Sequence, residues 1–365
     1  MSRVVVALSG GVDSSVAAAR LIADGHDVVA MTLQLYDCDE TRSERSCCGL
    51  SGISYARDAA GDLGIPHYVV NGMDLFEKQV LTDAWAAYDA GDTPNPCVRC
   101  NEWMKFGLLY EQAKDLGADF VATGHHARIE HADGMFDDNS DANKSLPTMY
   151  RGKDTGKDQS YFLFSLSRAQ LAISLFPIGD MTKDEVRAEA GRLGLANATR
   201  LESQDACIAQ KGDFAEALRT RFSARAKPGA FKDTQGTVLG EHSGIHQFTV
   251  GQRKGLGLSF KEPHFVIKID PRSRDVIVGP RSALAVPSMR VRDCNMLVDD
   301  LPENVELQFR YRQTPCRATL VREEESDQNS YRVDFDEAQL GVSPGQAAVF
   351  YDGDRVLGGG WIARA

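Results

Sequence analysis

The first 125 residues alternate short apolar runs with segments of helical periodicity, and this alternation restricts the fold more than any other feature. Val4–Leu8 is a continuous apolar run, as expected for a strand buried on both faces. Val12–Ala23 has apolar residues at helical spacing, and Gly25 after it is a typical helix terminator. Further strands are predicted at 28–35, 67–70 and 119–123, and further helices near 53–63, 75–90 and 101–116. Alternating strands and helices form βαβ units, so we predict an α/β domain with a doubly wound parallel sheet.

The chain changes character near residue 228. From there, short β-rich runs such as 246–250 and 305–311 are separated by Gly, Pro and Asp turns, which indicates one or two small β barrels. The length of 365 residues exceeds the roughly 250–300 that one hydrophobic core supports. We therefore expect two or three domains.

Composition and charge exclude several classes of protein. Apolar residues at 42% and charged residues at 25% are ordinary globular values, which excludes wholesale disorder. No apolar run approaches the roughly 20 residues of a membrane helix, and the five-residue run near the start is too short for a signal peptide, so a cytoplasmic protein is expected. Eight cysteines are too sparse for a disulfide framework.

The net charge of −11 by itself disfavours a nucleic-acid partner, but the charge is unevenly distributed. Residues 211–280 contain twelve Lys/Arg and seven Asp/Glu, so this segment is positive and the remainder strongly negative. The segment includes Arg253 and Lys254 in a Gly-rich loop, which is either a phosphate-binding surface or an ordinary solvated face.

A glycine-rich loop joins the first strand to the first helix, with the sequence Ser9-Gly10-Gly11-Val12-Asp13-Ser14-Ser15. Two glycines permit a tight turn and close approach of a ligand, and a helix N-terminus favours an anion. Asp13 either caps the helix or helps to hold a magnesium ion on bound phosphates. The loop lacks the Gly-Lys-Ser/Thr that binds a terminal phosphate through lysine, and its simplest alternative is a capped glycine turn.

Thr123-Gly124-His125-His126 ends a later strand, at the sheet edge where ligands gather. Gly124 would allow close approach of a ribose or an adenine. The two histidines are either ligand contacts or core and cap residues.

Two cysteines lie in a second informative segment, Pro94-Asn95-Pro96-Cys97-Val98-Arg99-Cys100-Asn101. The prolines predict a rigid extended loop, and Asn101 is predicted to cap the following helix. A thiol beside a helix N-terminus favours the thiolate, which makes Cys100 a candidate nucleophile. Half of a zinc site is the alternative, although a second Cys-x-x-Cys is missing. Considered alone, Cys207 is more typical of a small buried apolar residue than of a reactive thiol.

The loop at 9–14 resembles the pyrophosphate-loop ATPases, which split ATP into AMP and pyrophosphate to activate an oxygen atom. Six motifs occur in order: Ser-Gly-Gly-Val-Asp-Ser-Ser at 9–15, Thr-Pro-Asn-Pro-x-x-x-Cys-Asn at 93–101, Ala-Thr-Gly-His at 122–125, Lys-Asp-Gln-Ser-Tyr-Phe-Leu at 157–163, Gly-Gln-Arg-Lys-Gly-Leu-Gly at 251–257 and Arg-Tyr-Arg-Gln at 310–313. The ordered set covers nearly the whole chain and resembles the bacterial tRNA-uridine 2-thiouridylases.

This resemblance implies a pyrophosphate-loop (HUP-type) domain at 1–205, a small central tRNA-binding domain at 206–280 and a C-terminal β barrel at 281–365. It implies that ATP, with magnesium, adenylates the 2-oxygen of the wobble uridine in a tRNA anticodon arm, and that sulfur then replaces this oxygen. The implied ATP contacts are Ala7, Leu8, Ser9, Gly10, Gly11, Val12, Asp13, Ser14, Leu33 and Gly124. The implied tRNA contacts are Asn95, Pro96, Cys97, Lys157, Asp158, Gln159, Arg310 and Tyr311, although a capped helix start would explain residues 157–159 equally well.

By the same resemblance, Cys100 is the catalytic cysteine and Cys207 carries persulfide sulfur. Well-known members have aspartate at the position of Cys97, and this departure places three soft ligands at the site. Cys97, Cys100 and Cys207 would then bind three irons of a [4Fe–4S] cluster and leave the fourth iron open for sulfide. The sulfur donor would be a cysteine desulfurase, a relay protein or sulfide. A monomer that does not contact the membrane is expected.

Two other functions remain open at this point, an amide-forming ligase of the same superfamily and a nucleotide-sensing module without chemistry. Neither explains the proline-flanked cysteines. Pyrophosphate release that requires uridine-bearing tRNA separates the three functions.

Overall fold

A computed structural model describes residues 1–36, 50–131, 147–198, 214–323 and 329–364. Cys207, like Cys47 and Cys48, lies outside these residues. The chain forms two compact units: residues 1–79, 97–208 and 353–356 make up the first, and residues 80–96, 209–352 and 357–365 the second. No helix within the described ranges is long and apolar enough to cross a membrane.

The first unit is built on a five-stranded parallel sheet. Its strands are β1 (Arg3–Ala7), β2 (Asp27–Gln34), β3 (His67–Asn71), β4 (Phe120–Thr123) and β7 (Ser174–Leu175); β5 (Ala127–Glu130) and β6 (Thr148–Arg151) form an antiparallel pair. The strand order is β3-β2-β1-β4-β7, with every pair parallel. The predicted doubly wound parallel sheet is confirmed. Val4, Val5 and Val6 of β1 are fully buried because β1 lies in the middle of this sheet, with both faces covered.

The helices of the first unit follow the predicted order. They are α1 (Val12–Ala23), α2 (Leu50–Asp62), α3 (Met73–Leu75) with a π-helical continuation at Phe76–Leu81, α5 (Pro96–Arg99) with a π-helical continuation at Cys100–Leu108, α6 (Leu109–Asp115), α7 (Arg168–Ala172) and α8 (Lys183–Arg192). α4 (Thr82–Asp89) continues from Leu81 and belongs to the second unit.

α1 has two buried apolar faces, which explains its content of alanine and valine. Ala18 and Leu21 pack with residues of β1 and β2. Val16 and Ala17 pack with Val186 of α8. Because small side chains let α8 approach α1 closely, the first residue of α8 comes near the start of α1.

The second unit is mainly β structure. A four-stranded sheet, in the order β10-β11-β8-β9, consists of β8 (Gly229–Lys232), β9 (Val238–His242), β10 (His264–Asp270) and β11 (Asp275–Pro280). A closed barrel, in the order β12-β15-β14-β13-β16-β17, consists of β12 (Ala285–Met296), β13 (Asn304–Gln308), β14 (Cys316–Arg322), β15 (Tyr331–Leu340), β16 (Ala347–Asp352) and β17 (Arg355–Ile362), with β17 pairing back to β12. α9 (Phe214–Arg221) precedes both. The predicted C-terminal barrel is confirmed, whereas the strand predicted at 246–250 is wrong, since a 3₁₀ turn occupies Ile245–Gln247.

Candidate nucleotide site and cysteine helix

The glycine-rich loop lies at the point where the strand order of the sheet reverses. β1 has β2 on one side and β4 on the other, so the loops that follow β1 and β4 meet at the carboxyl edge of the sheet. Ligands of open parallel sheets bind at such a switch point. The two segments that the sequence motifs indicate, 9–15 and 123–126, therefore come together.

Gly124 is required by the packing of the protein itself. A Cβ atom at this residue would lie 2.6 Å from the backbone nitrogen of Ser14 and 2.7 Å from the carbonyl carbon of Asp13. The end of β4 thus touches the first turn of α1 directly. Gly10 is similarly constrained, with φ +73° and a Cβ position 2.5 Å from the Gly52 carbonyl oxygen. The role predicted for Gly124 toward the nucleotide stays a prediction, since contact with α1 already explains this glycine.

The serines of the loop hold its shape. The Ser14 hydroxyl accepts a hydrogen bond from the Ser9 amide (3.2 Å) and donates one to the Gly11 carbonyl (3.0 Å). Ser15 Oγ donates to the same carbonyl (3.2 Å) and accepts from the side-chain amide of Asn197 (2.8 Å). The N-cap residue of α1 is Gly11, which has no side chain to cap the helix. The first turn of α1 is therefore suited to an anion.

Asp13 does not cap α1 but faces two basic side chains. Its Oδ1 atom lies 2.6 Å from Nζ of Lys183 and 3.4 Å from Nε2 of His126. Burial acts to raise the pKa of Asp13, but the interactions with His126 and Lys183 outweigh it and lower the pKa below its ordinary value. Asp13 therefore remains ionised at neutral pH, as a carboxylate that holds a metal ion must.

Several buried polar atoms around this carboxylate lack a well-formed hydrogen bond. Within the described residues, neither ring nitrogen of His126 has a hydrogen-bond partner, since Nε2 approaches Asp13 only at ion-pair distance, and Oδ1 of Asn197 has none either. Both side chains are 3% exposed. Asn197 also donates to the Gly10 carbonyl oxygen (3.1 Å), so it lies against the loop. No sequence motif singles out Asn197 or Lys183, because each is separated from the loop by more than 160 residues.

His125 is a core residue. Its Nδ1 atom lies 2.7 Å from Oγ1 of Thr123 and its Nε2 atom 3.4 Å from Nζ of Lys105. The rings of Phe106 and Phe176 pack against it. Burial, reinforced by the nearby charge of Lys105, lowers the pKa of His125 well below its ordinary value. The imidazole is therefore neutral.

The two cysteines of the proline-flanked segment lie in one helix. α5 begins at Pro96, a favourable residue for the first helical position, so Cys97 is in the first turn and Cys100 begins the π-helical continuation. The prediction that Asn101 caps the helix is wrong: Asn101 is inside the helix, buried, and donates to the Phe162 carbonyl oxygen (3.0 Å). Cys97 is therefore nearer to the helix N-terminus than Cys100. Their spacing of three residues places both on one helix face.

The chain immediately before this helix is fixed within the second unit. The amide of Thr93 donates to the Pro344 carbonyl oxygen (2.8 Å), and Nε2 of Gln346 donates to the carbonyl oxygens of Thr93 (2.8 Å) and Pro94 (3.3 Å). Arg364 bonds to Asp92. Asn95 and Pro96 therefore follow a segment held by the end of the barrel. The sequence predicts rigidity here from proline alone and contains no signal for these hydrogen bonds.

The side chains predicted to contact tRNA differ in how many hydrogen bonds they already make within the protein. Asp158 is buried and accepts hydrogen bonds from Gly152, Ser160 and Arg151. Gln159 accepts from the backbone of His126 (2.9 Å). These hydrogen bonds give both side chains a structural role, while Lys157 is half-buried. In the second unit, Arg310 is exposed and donates to the Gly341 carbonyl oxygen (3.0 Å), and the Tyr311 ring lies beneath the Arg312 guanidinium.

A metal centre is not formed by the described residues alone. Among them, no group of three or more His, Cys, Asp or Glu side chains is arranged to hold a metal ion. The predicted cluster ligand Cys207 lies outside the described residues, so the three-cysteine cluster stays a prediction.

Comparison with known proteins first defines the class. Residues 2–211 match the family described as the tRNA methyl transferase HUP domain, residues 220–280 its PRC-barrel domain, and residues 286–362 the aminomethyltransferase beta-barrel domain. The chain is thus a HUP-domain protein with a central and a C-terminal barrel domain, as predicted. Among solved structures, an NMN synthetase from Francisella tularensis is 14% identical over 62% of this chain and 79% of its own, with a TM-score of 0.33.

Full-length relatives then define the family. The tRNA-specific 2-thiouridylase MnmA of Geobacter metallireducens is 44% identical over 100% of this chain and 97% of its own length. That of Rhodospirillum centenum is also 44% identical, over 100% of this chain and 92% of its own, and that of Moorella thermoacetica is 43% identical over 98% of each. The chain belongs to the tRNA-specific 2-thiouridylase family of tRNA sulfurtransferases.

Proposed function

We propose that this protein uses ATP to replace the 2-oxygen of the wobble uridine in tRNA with sulfur. The observation that carries the proposal is the position of Asp13 in this family member: an ionised carboxylate in the first turn of α1, where the strand order reverses. A nucleoside triphosphate is bound by a helix N-terminus that interacts with its phosphates and by a carboxylate that holds the magnesium ion on those phosphates.

The first step activates the uridine. Its 2-oxygen attacks the α-phosphorus of ATP, the bond to the bridging oxygen breaks, and pyrophosphate leaves with the electron pair while uridine N3 loses its proton. The amides at the start of α1 stabilise the negative charge that develops on pyrophosphate. A magnesium ion, when bound, would add positive charge on the phosphates, and Asp13 is the carboxylate that would hold it.

The second step introduces sulfur. A sulfur nucleophile attacks C2 of the uridine, and AMP leaves with the former 2-oxygen. In the persulfide route, the outer sulfur of a Cys207 persulfide is transferred and the Cys100 thiolate closes a disulfide with Cys207, which a thiol must then reduce. In the cluster route, Cys97, Cys100 and Cys207 would hold a [4Fe–4S] cluster that supplies sulfide. A cysteine desulfurase, a relay protein or sulfide supplies the sulfur.

The tRNA is held through its phosphates, and the target base is unstacked to reach the site. Exposed cations of the second unit, Arg253, Lys254 and Arg310, support this part of the proposal. Lys157 would add a contact from the first unit.

The substitution Asp13→Asn tests the proposal, because it keeps the shape of the side chain and removes its charge. Formation of AMP and pyrophosphate in the presence of uridine-bearing tRNA should fall by about 100-fold or more. Asp180→Asn, at an exposed carboxylate paired with Arg20 of α1, is the matched control and should retain activity. Circular dichroism should show that both variants fold. Full activity of Asp13→Asn, or pyrophosphate release by the wild type without tRNA, would contradict the proposal.

A further inference from the structure

The glycine-rich loop has no lysine of its own, but the fold brings one to it. Lys183, the first residue of α8, is 6% exposed, and its Nζ atom lies 2.6 Å from Oδ1 of Asp13. A buried ammonium group is stable only beside an anion, and in the ATP-free protein Asp13 supplies it. The position of Lys183 is well defined, since Thr182 and Glu185 form a capping box at the start of α8.

The single negative charge of Asp13 cannot fully neutralise both the Lys183 ammonium group and a magnesium ion. If this carboxylate holds magnesium during the reaction, the buried ammonium of Lys183 needs another anion within reach. Asp13 is in the first turn of α1, where the phosphates of ATP would bind. Phosphate oxygens bound there would give the Lys183 ammonium group a second anion.

Unsatisfied polar atoms around Asp13 independently indicate that a ligand completes this site. Over the described part of the chain, Nδ1 of His126 and Oδ1 of Asn197 are buried without a hydrogen-bond partner, and Nε2 of His126 approaches Asp13 only at ion-pair distance. Native proteins rarely leave such atoms unsatisfied unless a ligand, ion or water joins them. A permanent Asp13–Lys183 ion pair that only held α8 against α1 would not require unsatisfied polar atoms beside it.

We propose that Lys183 is the phosphate-binding lysine of the nucleotide site, held by Asp13 in the ATP-free protein and transferred to the pyrophosphate portion of ATP when Mg-ATP binds. This inference rests on the proposed function and adds a residue to it. Lys183 takes the role that the loop lysine plays in proteins with Gly-Lys-Ser/Thr. In this proposal, the hydrogen-bond partner of the Lys183 ammonium group changes from Asp13 to a phosphate oxygen.

The test is ligand selectivity, measured by calorimetric titration with Mg-ATP, magnesium pyrophosphate and AMP. Lys183→Met keeps the apolar stem and removes the ammonium group. It should weaken binding of Mg-ATP and of magnesium pyrophosphate by about 10- to 100-fold, the effect of removing one charged hydrogen bond, and change AMP affinity by less than about threefold. Lys153→Met, at an exposed lysine paired with Glu185 of α8, is the matched control and should bind all three ligands normally.

A purely structural role gives a different result. It predicts that Lys183→Met lowers the melting temperature and weakens the binding of all three ligands equally. That outcome would overturn the inference. If Lys183→Met does not fold, the double variant Asp13→Asn/Lys183→Met removes both charges. It should bind pyrophosphate at least about tenfold more weakly than Asp13→Asn alone, and equal affinity would reject the inference.

The failure of the inference is distinguishable from that of the proposed function. If the wild type binds Mg-ATP and Lys183→Met binds it as tightly, only the role of Lys183 is wrong. If the wild type binds neither Mg-ATP nor magnesium pyrophosphate, the proposed use of ATP fails, and the inference fails with it.

Discussion

At the scale of single residues, the candidate site combines groups that sequence motifs reveal with groups that only the fold brings together. Gly10, Gly11 and Asp13 are recognisable from the sequence because the motif between a strand and a helix is local. Lys183 and Asn197 are not, because no local pattern connects a lysine at the start of α8 with a carboxylate 170 residues earlier. Charge complementarity over such a distance becomes visible only when α8 packs on α1.

The cysteines allow a residue-scale prediction that separates the two sulfur routes. If Cys207 carries a persulfide and Cys100 resolves it, Cys97 takes no part, and Cys97→Asp or Cys97→Ala should retain activity with a persulfide donor. If a cluster is used, Cys97→Ala, Cys100→Ala and Cys207→Ala should each lose iron and activity together. Cys97→Asp should then hold a more labile cluster, since carboxylate is a harder ligand than thiolate.

Anaerobic purification followed by absorption spectra and iron and sulfide counts measures the outcome. Cys316→Ala, in the barrel and away from the motif, is the control for removal of a thiol alone. We favour the cluster route on the strength of three cysteines at motif positions. Undiminished activity of metal-free Cys97→Ala with a persulfide donor would reject this preference.

At the scale of elements, the sequence predicts the helices and strands of the first unit within a few residues but not all of their ends. Proline at the first helical position moves the start of the cysteine helix to residue 96, whereas the local pattern favours Asn101 as its cap. Strand β12 is not predicted, because Pro287 and several charged residues interrupt its alternation; pairing with β15 and β17 stabilises it instead. Non-local pairing of this kind leaves little local signal.

The contact between the end of β4 and α1 gives an element-scale prediction. Gly124→Ala should destabilise the protein by about 1–3 kcal/mol, since its Cβ atom would lie 2.6 Å from a backbone nitrogen that cannot move away alone. Gly191→Ala, in α8 with no atom within 4 Å of its Cβ position, is the matched control and should be neutral or stabilising by up to about 1 kcal/mol. Urea unfolding midpoints measure both. Equal stability of the two variants would show that β4 and α1 separate without cost.

A second element-scale prediction concerns pH and the helix α9. A hydrogen bond from Arg219, opposed by burial and helped by His246, lowers the pKa of Glu216 to about 2. Because the folded pKa is depressed, the stabilisation by the carboxylate is fully present above about pH 4.5 and is lost as the pH falls toward 2. Glu216→Gln should therefore lower the melting temperature at pH 6 by about 1–3 °C and have little effect near pH 2.

The effect should be small because the Glu216 side chain is 40% exposed. Glu241→Gln, at an exposed carboxyl of the same unit, is the control. A difference between wild type and Glu216→Gln that stays constant from pH 6 to pH 2 would exclude the ionised carboxylate as the cause.

At the scale of the whole molecule, an acidic protein is proposed to bind a polyanion. The net charge of −11 conceals the positive segment 211–280, so affinity for tRNA should depend on local cations and decrease steeply with salt. The double substitution Arg253→Gln/Lys254→Gln should flatten the log–log salt dependence by roughly 0.7–0.9 for each phosphate that is no longer neutralised. Lys114→Gln, at an exposed lysine paired with Glu111, should leave the slope unchanged. Affinity that does not vary with salt would show that these cations do not bind phosphate.

The separation of Lys183 from Asp13 along the chain also has a consequence during protein synthesis. The glycine-rich loop leaves the ribosome before its lysine, which follows Asp13 by 170 residues. At about 5–20 residues per second, the interval is roughly 10–30 s. Throughout this time the nascent loop lacks its buried cation, so a ribosome-bound chain that ends before α8 should bind Mg-ATP more weakly than the full chain.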